Sequence, residues 1–273
     1  MTDRQNRQVE NITDHTAEMT FWEHLDVFRG VILRIAVLIV VSSILAFCFK
    51  EQLFAVILAP KEDSFFIYRL LNHLAIYWGG PSDEGFTVNL INTGLAEQFK
   101  MHIKASVYAG GLIASPYVIY SIFRFVSPAL YESERKATLR AVIVGYAMFI
   151  LGVILCYCLI FPLTFRFLGT YQVSSQVENL ISLQSYMDTL LVMSFLIGVL
   201  FELPVLCWVL GRLGFLSSSF MRRYRKHAVV VILIVAAVIT PTSDVFTLCL
   251  VALPICLLYE VSIWVVKASG KNM

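Results

Sequence analysis

One acidic residue lies inside an apolar segment that is long enough to cross a lipid bilayer. The segment runs from Leu190 to Leu210, contains Glu202, and has Pro204 two positions after the acid. A buried carboxylate at that depth costs a few kcal/mol even on permissive insertion scales, so such residues usually face protein or water and serve a function. The segment predicts a membrane-embedded fold and marks Glu202 as a candidate functional residue.

The composition agrees with a membrane fold. The chain has 273 residues, of which 58% are hydrophobic and only 15% charged, whereas a soluble domain carries roughly a quarter charged residues. Residues 1–20 are polar, so we expect no secretory signal there. The six cysteines all lie in apolar runs, and their spacing fits neither a zinc site nor a disulfide framework, so we interpret them as packing or lipid-facing residues.

Six hydrophobic segments predict an all-α polytopic fold with six transmembrane helices, built as a single membrane domain over residues 1–273. The segments are about Val31–Phe49, Ala105–Val126, Ala141–Phe161, Leu190–Leu210, Ala228–Ile239 and Val245–Tyr259. A span needs about 20 residues to cross a hydrocarbon core of about 30 Å. The last two segments are shorter, and Glu260 interrupts the second of them. They predict a short final hairpin, which would stop below the far interface or thin the bilayer locally.

The distribution of lysine and arginine predicts the orientation. The fourth connection, 211–227, carries five basic residues and the second carries three, whereas the third has only Arg166 and the fifth has none. Basic loops stay in the cytoplasm, so we expect both termini there. The first connection, about 50–104, is then a long extracytoplasmic segment. Its end predicts an interfacial amphipathic helix, because Leu95, Phe99 and His102 follow helical spacing.

Catalytic motifs are missing from the sequence. The five histidines form no His-Glu-x-x-His pair, and neither a Gly-x-Ser-x-Gly nucleophile motif nor a glycine-rich phosphate loop occurs. Glu202 and Glu260 could nominally pair as the acids of an intramembrane protease, but neither has the flanking signature of such a dyad. We therefore do not expect an enzyme. No matching pair of broken spans suggests the inverted halves of a secondary transporter.

Short motifs along nearly the whole chain carry a family resemblance. They are His24-Leu25 with Arg29, Ala59-Pro60, Phe125, Pro128-Ala129-Leu130-Tyr131, Glu134-Arg135, Phe161-Pro162-Leu163, Phe201-Glu202-Leu203-Pro204, Thr240-Pro241, Asp244-Val245-Phe246 and Glu260. In their order, spacing and place in the topology, these motifs resemble the TatC family. Its members are the multi-spanning signal-peptide receptors of the twin-arginine protein translocase, and form a concave helical bundle.

The resemblance implies a site for twin-arginine signal peptides of folded cargo. Cytoplasmic carboxylates would bind the paired arginines, because each guanidinium can form a two-pronged bond that lysine cannot copy. Glu134 is the first residue expected in that role. Phe125 and Pro128 would shape the site, and the resemblance adds three further residues to it: Leu25, Arg29 and Arg135.

The first part of this site departs from the family pattern. The family has His-Leu-x-Glu-Leu-Arg, whereas this chain has His-Leu-Asp-Val-Phe-Arg, so that Val27 replaces the usual glutamate. Our hypothesis is that Asp26, or Glu23 as the alternative, supplies part of the missing charge. Adjacent helical residues point about 100° apart, so Asp26 would present its carboxylate in a different direction.

The resemblance gives Glu202 a different role, which is contact with small single-span partner subunits of the TatA and TatB type. Pro60 and Asp244 are further candidates for partner contact. The same resemblance implies other copies of the chain and the lipid bilayer as partners. It implies that no nucleic acid, nucleotide, cofactor or metal is bound. It also implies a location in the cytoplasmic (inner) membrane. The energy would come from the proton motive force, which supplies about 2.3 kcal/mol per charge per 100 mV.

Three alternatives stay open at the level of sequence. Glu202 could be a protonated carboxyl group bonded within the bundle. The chain could be a proton-coupled solute transporter that uses Glu202, Glu260 and Asp244 as a relay. It could also be a structural assembly factor.

Overall fold

The computed structural model describes residues 21–77, 88–126, 135–172, 174, 176, 179–240 and 244–269. Nearly all of this part of the chain is helical, which confirms the all-α fold class. Its helices are α1 (Phe21–Cys48), α2 (Lys50–Leu58), α3 (Phe66–Tyr77), α4 (Glu97–Val126), α5 (Arg135–Leu155), α6 (Phe161–Thr170), α7 (Leu183–Leu200), α8 (Leu203–Arg212), α9 (Ser218–Arg223), α10 (Arg225–Ile239) and α11 (Val245–Ser269).

Five helical stretches of the described chain are long and apolar enough to cross a membrane. They are Leu25–Cys48, Glu97–Phe125, Arg140–Thr170, Leu183–Arg212 and Val245–Ala268. The chain is therefore a polytopic membrane protein. The remaining predicted span is α10, whose 15 residues extend about 22 Å at 1.5 Å per residue. It is as short as the sequence predicted.

The prediction that the last helix is also short is wrong. Helix α11 has 25 residues and continues through Glu260. Glutamate is a good helix former, so Glu260 interrupts the apolar run without ending the helix, and its carboxylate accepts a hydrogen bond from Arg225 at 2.9 Å. Only one arm of the final hairpin is therefore short.

The predicted interfacial helix before the second span does not exist as a separate element. Helix α4 starts at Glu97 and runs without a break to Val126. Leu95 and Phe99 are exposed, but His102 is buried, and its ring stacks on Phe47 of α1 at a centroid distance of 3.9 Å. These three residues therefore do not share one face, and the polar residues at 97–104 are the first turns of the span itself.

Two spans contain an irregular turn next to a proline. A π-helical turn, Cys156–Ile160, joins α5 to α6 just before Pro162. The fourth span breaks at Phe201 and Glu202, between α7 and α8, just before Pro204. Proline lacks the N–H that continues a helix and its ring crowds the preceding turn, so both irregularities follow from local sequence.

The helices pack in distinct pairs. Helix α1 packs on α4, α5 packs on α7, and α8 packs on α11. The α1–α4 crossing is so close that a Cβ atom on Gly110 would lie 2.6 Å from the backbone nitrogen of Ser43. Small residues allow such close approach between helices in a membrane, where dispersion forces replace the hydrophobic effect.

The first and third connections are joined at one end of the bundle. Strands Leu90–Ile91 (β1) and Ile181–Ser182 (β2) form a two-residue parallel ladder, with Leu90 opposite Ile181. A short 3₁₀ turn, Ala59–Lys61, follows α2. We call these three elements, together with residues 92–97, the cap.

Candidate functional site

The start of the first span and the end of the second come together. The rings of Phe28 in α1 and Phe125 in α4 lie 5.2 Å apart, centroid to centroid, with a tilted arrangement. The contact places the segment with Leu25, Asp26 and Arg29 beside the end of α4. That segment and Phe125, two parts of the predicted signal-peptide site, are therefore close in space.

Asp26 is solvent-exposed and forms no ion pair with any residue that the structure describes. Leu25, Phe28 and Arg29 are exposed beside it. Phe28 and Arg29 follow Leu25 by three and four positions, so each lies on the side of α1 that Leu25 occupies. This end of α1 thus presents a carboxylate and two apolar side chains to an incoming segment.

Three predicted residues of the same site fall outside this description. Pro128 and Glu134 lie in the connection between α4 and α5, outside the described residues. Arg135 is the first residue of α5, and its side chain is likewise outside them. Since that connection leaves α4 immediately after Phe125 and Val126, it starts at the place where Phe28 contacts α4.

Glu202 lies at the break in the fourth span. The Phe201 N–H still donates to Ile197, but the N–H of Glu202 donates to Val199, one residue short of the α-helical partner. After the break, the N–H groups of Val205 and Leu206 both donate to the carbonyl of Glu202, at 3.0 and 2.9 Å. The carboxylate therefore projects from a turn between two helices and not from a regular helix.

The Glu202 carboxylate packs against a glycine of the third span. A Cβ atom on Gly145 would lie 2.9 Å from Oε2 of Glu202, so only glycine leaves room for the acid there. The Oε1 atom is buried and accepts no hydrogen bond from the described part of the chain. A buried acceptor without a donor is costly. This observation argues against the alternative in which the carboxyl group is bonded within the bundle.

Pro60 is held in place by a set of tyrosine hydroxyl groups. Tyr68 donates to the carbonyls of Pro60 and Pro162, both at 3.0 Å. Two further tyrosines donate to the end of α2: Tyr157 to Val56 at 2.6 Å and Tyr186 to Ile57 at 2.9 Å. The last carbonyls of a helix lack partners within it, and these hydroxyl groups supply some of them. Pro60 itself is buried.

Asp244 begins the last helix. Its carboxylate accepts a hydrogen bond from the Thr247 N–H at 2.7 Å, which is the usual interaction of an N-cap residue. Two positions later, Phe246 stacks on Phe167 of α6 at 4.4 Å. Asp244 therefore lies at the α6 end of the third span, where Pro60 also lies.

The three predicted partner-contact residues do not form one cluster. Tyr68 links Pro60 to Pro162, near the start of α6, whereas Glu202 packs on Gly145 at the middle of α5. Seventeen residues separate Gly145 from Pro162 in the sequence, which is about 25 Å along a helix. Any partner that touches both places must therefore extend along the third span.

Sequence reasoning missed a second important acid, Glu97. It is 5% exposed, and its Oε2 accepts from the Thr93 N–H, the Thr93 hydroxyl and the Gly94 N–H at 2.8–3.1 Å. Its Oε1 accepts from the Gln184 N–H, at the start of α7, at 2.9 Å. Glu97 thus links both connections of the cap. The Asn-Thr-Gly turn before the acid was the available signal, since such turns expose N–H groups that a following carboxylate can accept.

Comparison with known proteins agrees with this architecture. The family model described as Sec-independent protein translocase protein (TatC) matches residues 23–254. Two relatives carry the same description. That of Blattabacterium sp. subsp. Periplaneta americana (strain BPLAN) is 30% identical over 253 residues, covering 91% of this chain and 95% of the relative. That of Desulforapulum autotrophicum is 32% identical over 252 residues, covering 92% and 86%.

Solved structures give the same result for the fold. A crystal structure of the twin-arginine translocase receptor TatC superposes with a TM-score of 0.72 at 28% identity, covering 91% of this chain and all of that one. The crystal structure of TatC in DDM superposes with a TM-score of 0.73, covering 89% and 98%. The matches extend over nearly the whole membrane domain, and the family model spans Glu202. This chain belongs to the TatC family of Sec-independent protein translocase proteins.

Proposed function

We propose that this protein is the receptor subunit of a translocase that exports folded proteins, and that it binds twin-arginine signal peptides where α1 meets α4. The observation that carries the proposal is the contact between Phe28 and Phe125. It brings Asp26, which is exposed and forms no ion pair with a described residue, next to the start of the connection that carries Pro128 and Glu134. Two carboxylates supplied from these two segments suit two adjacent guanidinium groups.

The proposal includes the remaining residues in defined roles. Glu134 would be the main partner of the arginine pair and Asp26 the second, in place of the glutamate that Val27 replaces. Leu25, Phe125 and Pro128 would contact apolar parts of the signal peptide. Arg29 and Arg135 would hold the carboxylates in position, because like charges in the absence of cargo would otherwise repel each other.

The site would lie on the cytoplasmic side of the inner membrane, and both termini would lie on the same side. Five basic residues between 211 and 227 support this orientation. No nucleotide, nucleic acid, metal or cofactor would be required, and the proton motive force would supply the energy. The working complex would contain further copies of this chain and small single-span subunits of the TatA and TatB type.

Glu202 would contact one of those small subunits within the membrane. The support is its unsatisfied Oε1 at a break in the helix. A hydrogen-bond donor on a partner helix would satisfy this acceptor, whereas a lipid tail cannot. Pro60 and Asp244 would contact a partner near α6, at a distance from Glu202 along the third span.

Site-specific crosslinking of a twin-arginine signal peptide tests the receptor site. Asp26→Asn and Glu134→Gln should each reduce crosslinking, because each removes a charge-assisted hydrogen bond worth about 1.5–3 kcal/mol, or roughly tenfold or more in affinity. Glu51→Gln is the matched control, since Glu51 is an exposed acid of α2 at the opposite end of α1. Full crosslinking to Glu134→Gln would place the receptor site elsewhere. If only Asp26→Asn keeps full crosslinking, the receptor site stands, but Asp26 does not replace the charge of the glutamate that is missing at Val27.

The role of Glu202 is tested by separating binding from transport. Glu202→Gln should keep signal-peptide crosslinking, since the proposed receptor site does not include the acid, but should lose export of a folded twin-arginine cargo in cells. Copurification with the small single-span subunits should fall in parallel. Normal export by Glu202→Gln would show that the carboxylate is not a partner contact.

A further inference from the structure

The fourth connection carries exposed aromatic side chains and several basic side chains, three of which pair with no acid in the described part of the chain. Between residues 211 and 227 the chain has five lysines and arginines and no aspartate or glutamate. Of these, Arg225 is paired with Glu260. Arg222, Arg223 and Lys226 are exposed and form no ion pair with the described part of the chain.

This connection is held rigidly on the last helix. Gly214, with a φ of 77°, turns the chain at the end of α8, and the N–H groups of Phe215 and Leu216 both return to the carbonyl of Leu210. Met221 of α9 is then buried against Ile263 and Val266 of α11. The basic side chains therefore project from a fixed backbone.

Further bonds fix the same segment from the other side. The Tyr259 hydroxyl of α11 donates to the carbonyl of Met221 at 2.9 Å, and Arg225 donates to Glu260 of α11 at 2.9 Å. Because the inner side of α9 is docked in this way, its outer side stays available. A fixed arrangement of charges loses less entropy on binding a ligand than a mobile loop does.

Large exposed aromatic side chains lie close in the sequence to Arg222, Arg223 and Lys226. Phe215 is 79% exposed, Phe220 54% and Tyr224 42%, and the rings of Phe220 and Tyr224 lie 4.6 Å apart. Trp264 of α11, which is next to the buried Ile263, is also exposed. Aromatic rings of this kind are typical of the membrane–water interface, where an apolar body meets hydrated headgroups. A combination of exposed cations and exposed aromatic rings suits a surface at headgroup depth.

We propose that Arg222, Arg223 and Lys226, with Phe215, Phe220 and Tyr224, form a binding surface for the headgroups of anionic phospholipids. The three cations would bind the phosphate groups, and the aromatic rings would insert between the lipids beside them. Charge complementarity favours this occupant, since the surface contains no acid, and the adjoining helices α8, α10 and α11 place it at the edge of the bilayer. The surface shares no residue with the proposed signal-peptide site, and its test does not depend on the proposed function.

Lipid binding to the purified full-length chain tests the proposal. The protein in a neutral detergent is titrated with phosphatidylglycerol or with phosphatidylcholine, and bound lipids are counted by native mass spectrometry. The native chain should prefer phosphatidylglycerol. The triple variant R222Q/R223Q/K226Q should lose roughly tenfold or more of that preference, since each basic residue near an anionic surface is worth about fivefold. Raising the salt concentration should weaken the preference of the native chain.

A charge-matched variant separates a local surface from a general effect of net charge. K50Q/K61Q/K100Q removes the same three positive charges from α2, the 3₁₀ turn and α4, and it should keep the native preference. The proposal is overturned if the control loses as much preference as the test variant. It is also overturned if R222Q/R223Q/K226Q binds phosphatidylglycerol normally, and a transport defect in that case would assign the surface to an acidic partner protein.

A third variant tests the aromatic part of the surface. Phe215→Ser removes the most exposed ring without changing the charge, and it should reduce the number of bound lipids while keeping the preference for the anionic headgroup. An unchanged number of bound lipids would show that the aromatic residues are not part of the lipid-binding surface. Thermal unfolding of each variant in lipid-free detergent should match that of the native chain, because none of the altered side chains is buried.

Discussion

Gly110→Ala is the sharpest test of how the first two spans are held together. A Cβ atom at this position would lie 2.3 Å from the Ser43 Oγ, 2.6 Å from the Ser43 nitrogen and 2.8 Å from its Cα. Ordinary carbon contacts are about 3.5–4.0 Å. Since two of the three opposing atoms belong to the backbone of α1, side-chain rotation cannot relieve the clash, and the helices must separate by about 1 Å.

The expected cost of that separation is at the upper end of the range for overpacked cores, about 3 kcal/mol. The adjacent Gly111 provides a matched control, because a Cβ atom there meets nothing within 4 Å. Gly111→Ala should be neutral or stabilising by up to about 1 kcal/mol, as alanine is the better helix former. Both free energies of unfolding can be measured by circular dichroism in micelles titrated with dodecyl sulfate.

The same prediction has a second consequence for the receptor site. Because α1 packs on α4, forcing them apart at Gly110 should disturb the contact between Phe28 and Phe125 and weaken signal-peptide crosslinking. The double variant Ser43→Ala/Gly110→Ala should not recover stability, because the backbone atoms of residue 43 remain in place. Equal stability of Gly110→Ala and Gly111→Ala, or rescue by Ser43→Ala, would refute the close-packing argument.

Three further changes test other contacts. Gly145→Ala should displace the Glu202 carboxylate, because the added Cβ atom would lie 2.9 Å from it. We expect export to fall. The free energy of unfolding should change by less than about 1 kcal/mol, because the end of a flexible side chain can move. Tyr68→Phe leaves two carbonyls without their donor and should lower that free energy by about 1–3 kcal/mol. Glu97→Gln, which weakens four hydrogen bonds, should increase protease cleavage within the cap.

Two of these changes, Gly145→Ala and Glu97→Gln, have a matched control. Gly30→Ala should leave export unchanged, since a Cβ atom at Gly30 meets nothing within 4 Å, and loss of export in both glycine variants would contradict the role of the Glu202 contact. Glu62→Gln alters an exposed acid near the cap and should leave cleavage unchanged. Cleavage of Glu97→Gln at the native rate would show that the buried carboxylate does not hold the cap together.

Tyr68 also predicts a pH dependence. Burial raises the pKa of its hydroxyl above the ordinary value of 10.0. The folded protein therefore favours the neutral phenol. The Tyr68 hydroxyl contributes its full stabilisation below about pH 10, and this stabilisation is lost as the pH rises above the pKa that tyrosine has in the unfolded chain. Alkaline unfolding monitored from pH 9 to pH 11 should be less steep for Tyr68→Phe than for the native chain, and an identical profile would contradict this assignment.

The sequence predicted the features that depend on residues near one another in the chain. The apolar run around Glu202 placed the acid inside a span, and Pro204 marked the break next to it. The short α10 followed from its residue count. The motifs around Pro128, Glu202 and Asp244 were enough to predict the family, which the match over residues 23–254 confirmed.

Features that depend on distant residues could not be predicted. Glu260 of α11 pairs with Arg225, 35 positions earlier. The tyrosine bonds around Pro60 link residues 94 and 129 positions apart and end on backbone carbonyls, which leave no side-chain pattern in the sequence. His102 gave the expected helical spacing, but its burial against Phe47 is set by the crossing of α1 and α4.

The break at Glu202 divides the fourth span between two parts of the bundle. Before the break in the sequence, α7 packs chiefly on α5; after it, α8 packs chiefly on α11. The peptide bonds at the break have left the regular ladder, so this point offers the least resistance to bending in the span. Any rocking of α8 and the final pair of helices against α5 and α7 would be absorbed here, and the hinge would carry the acid with it.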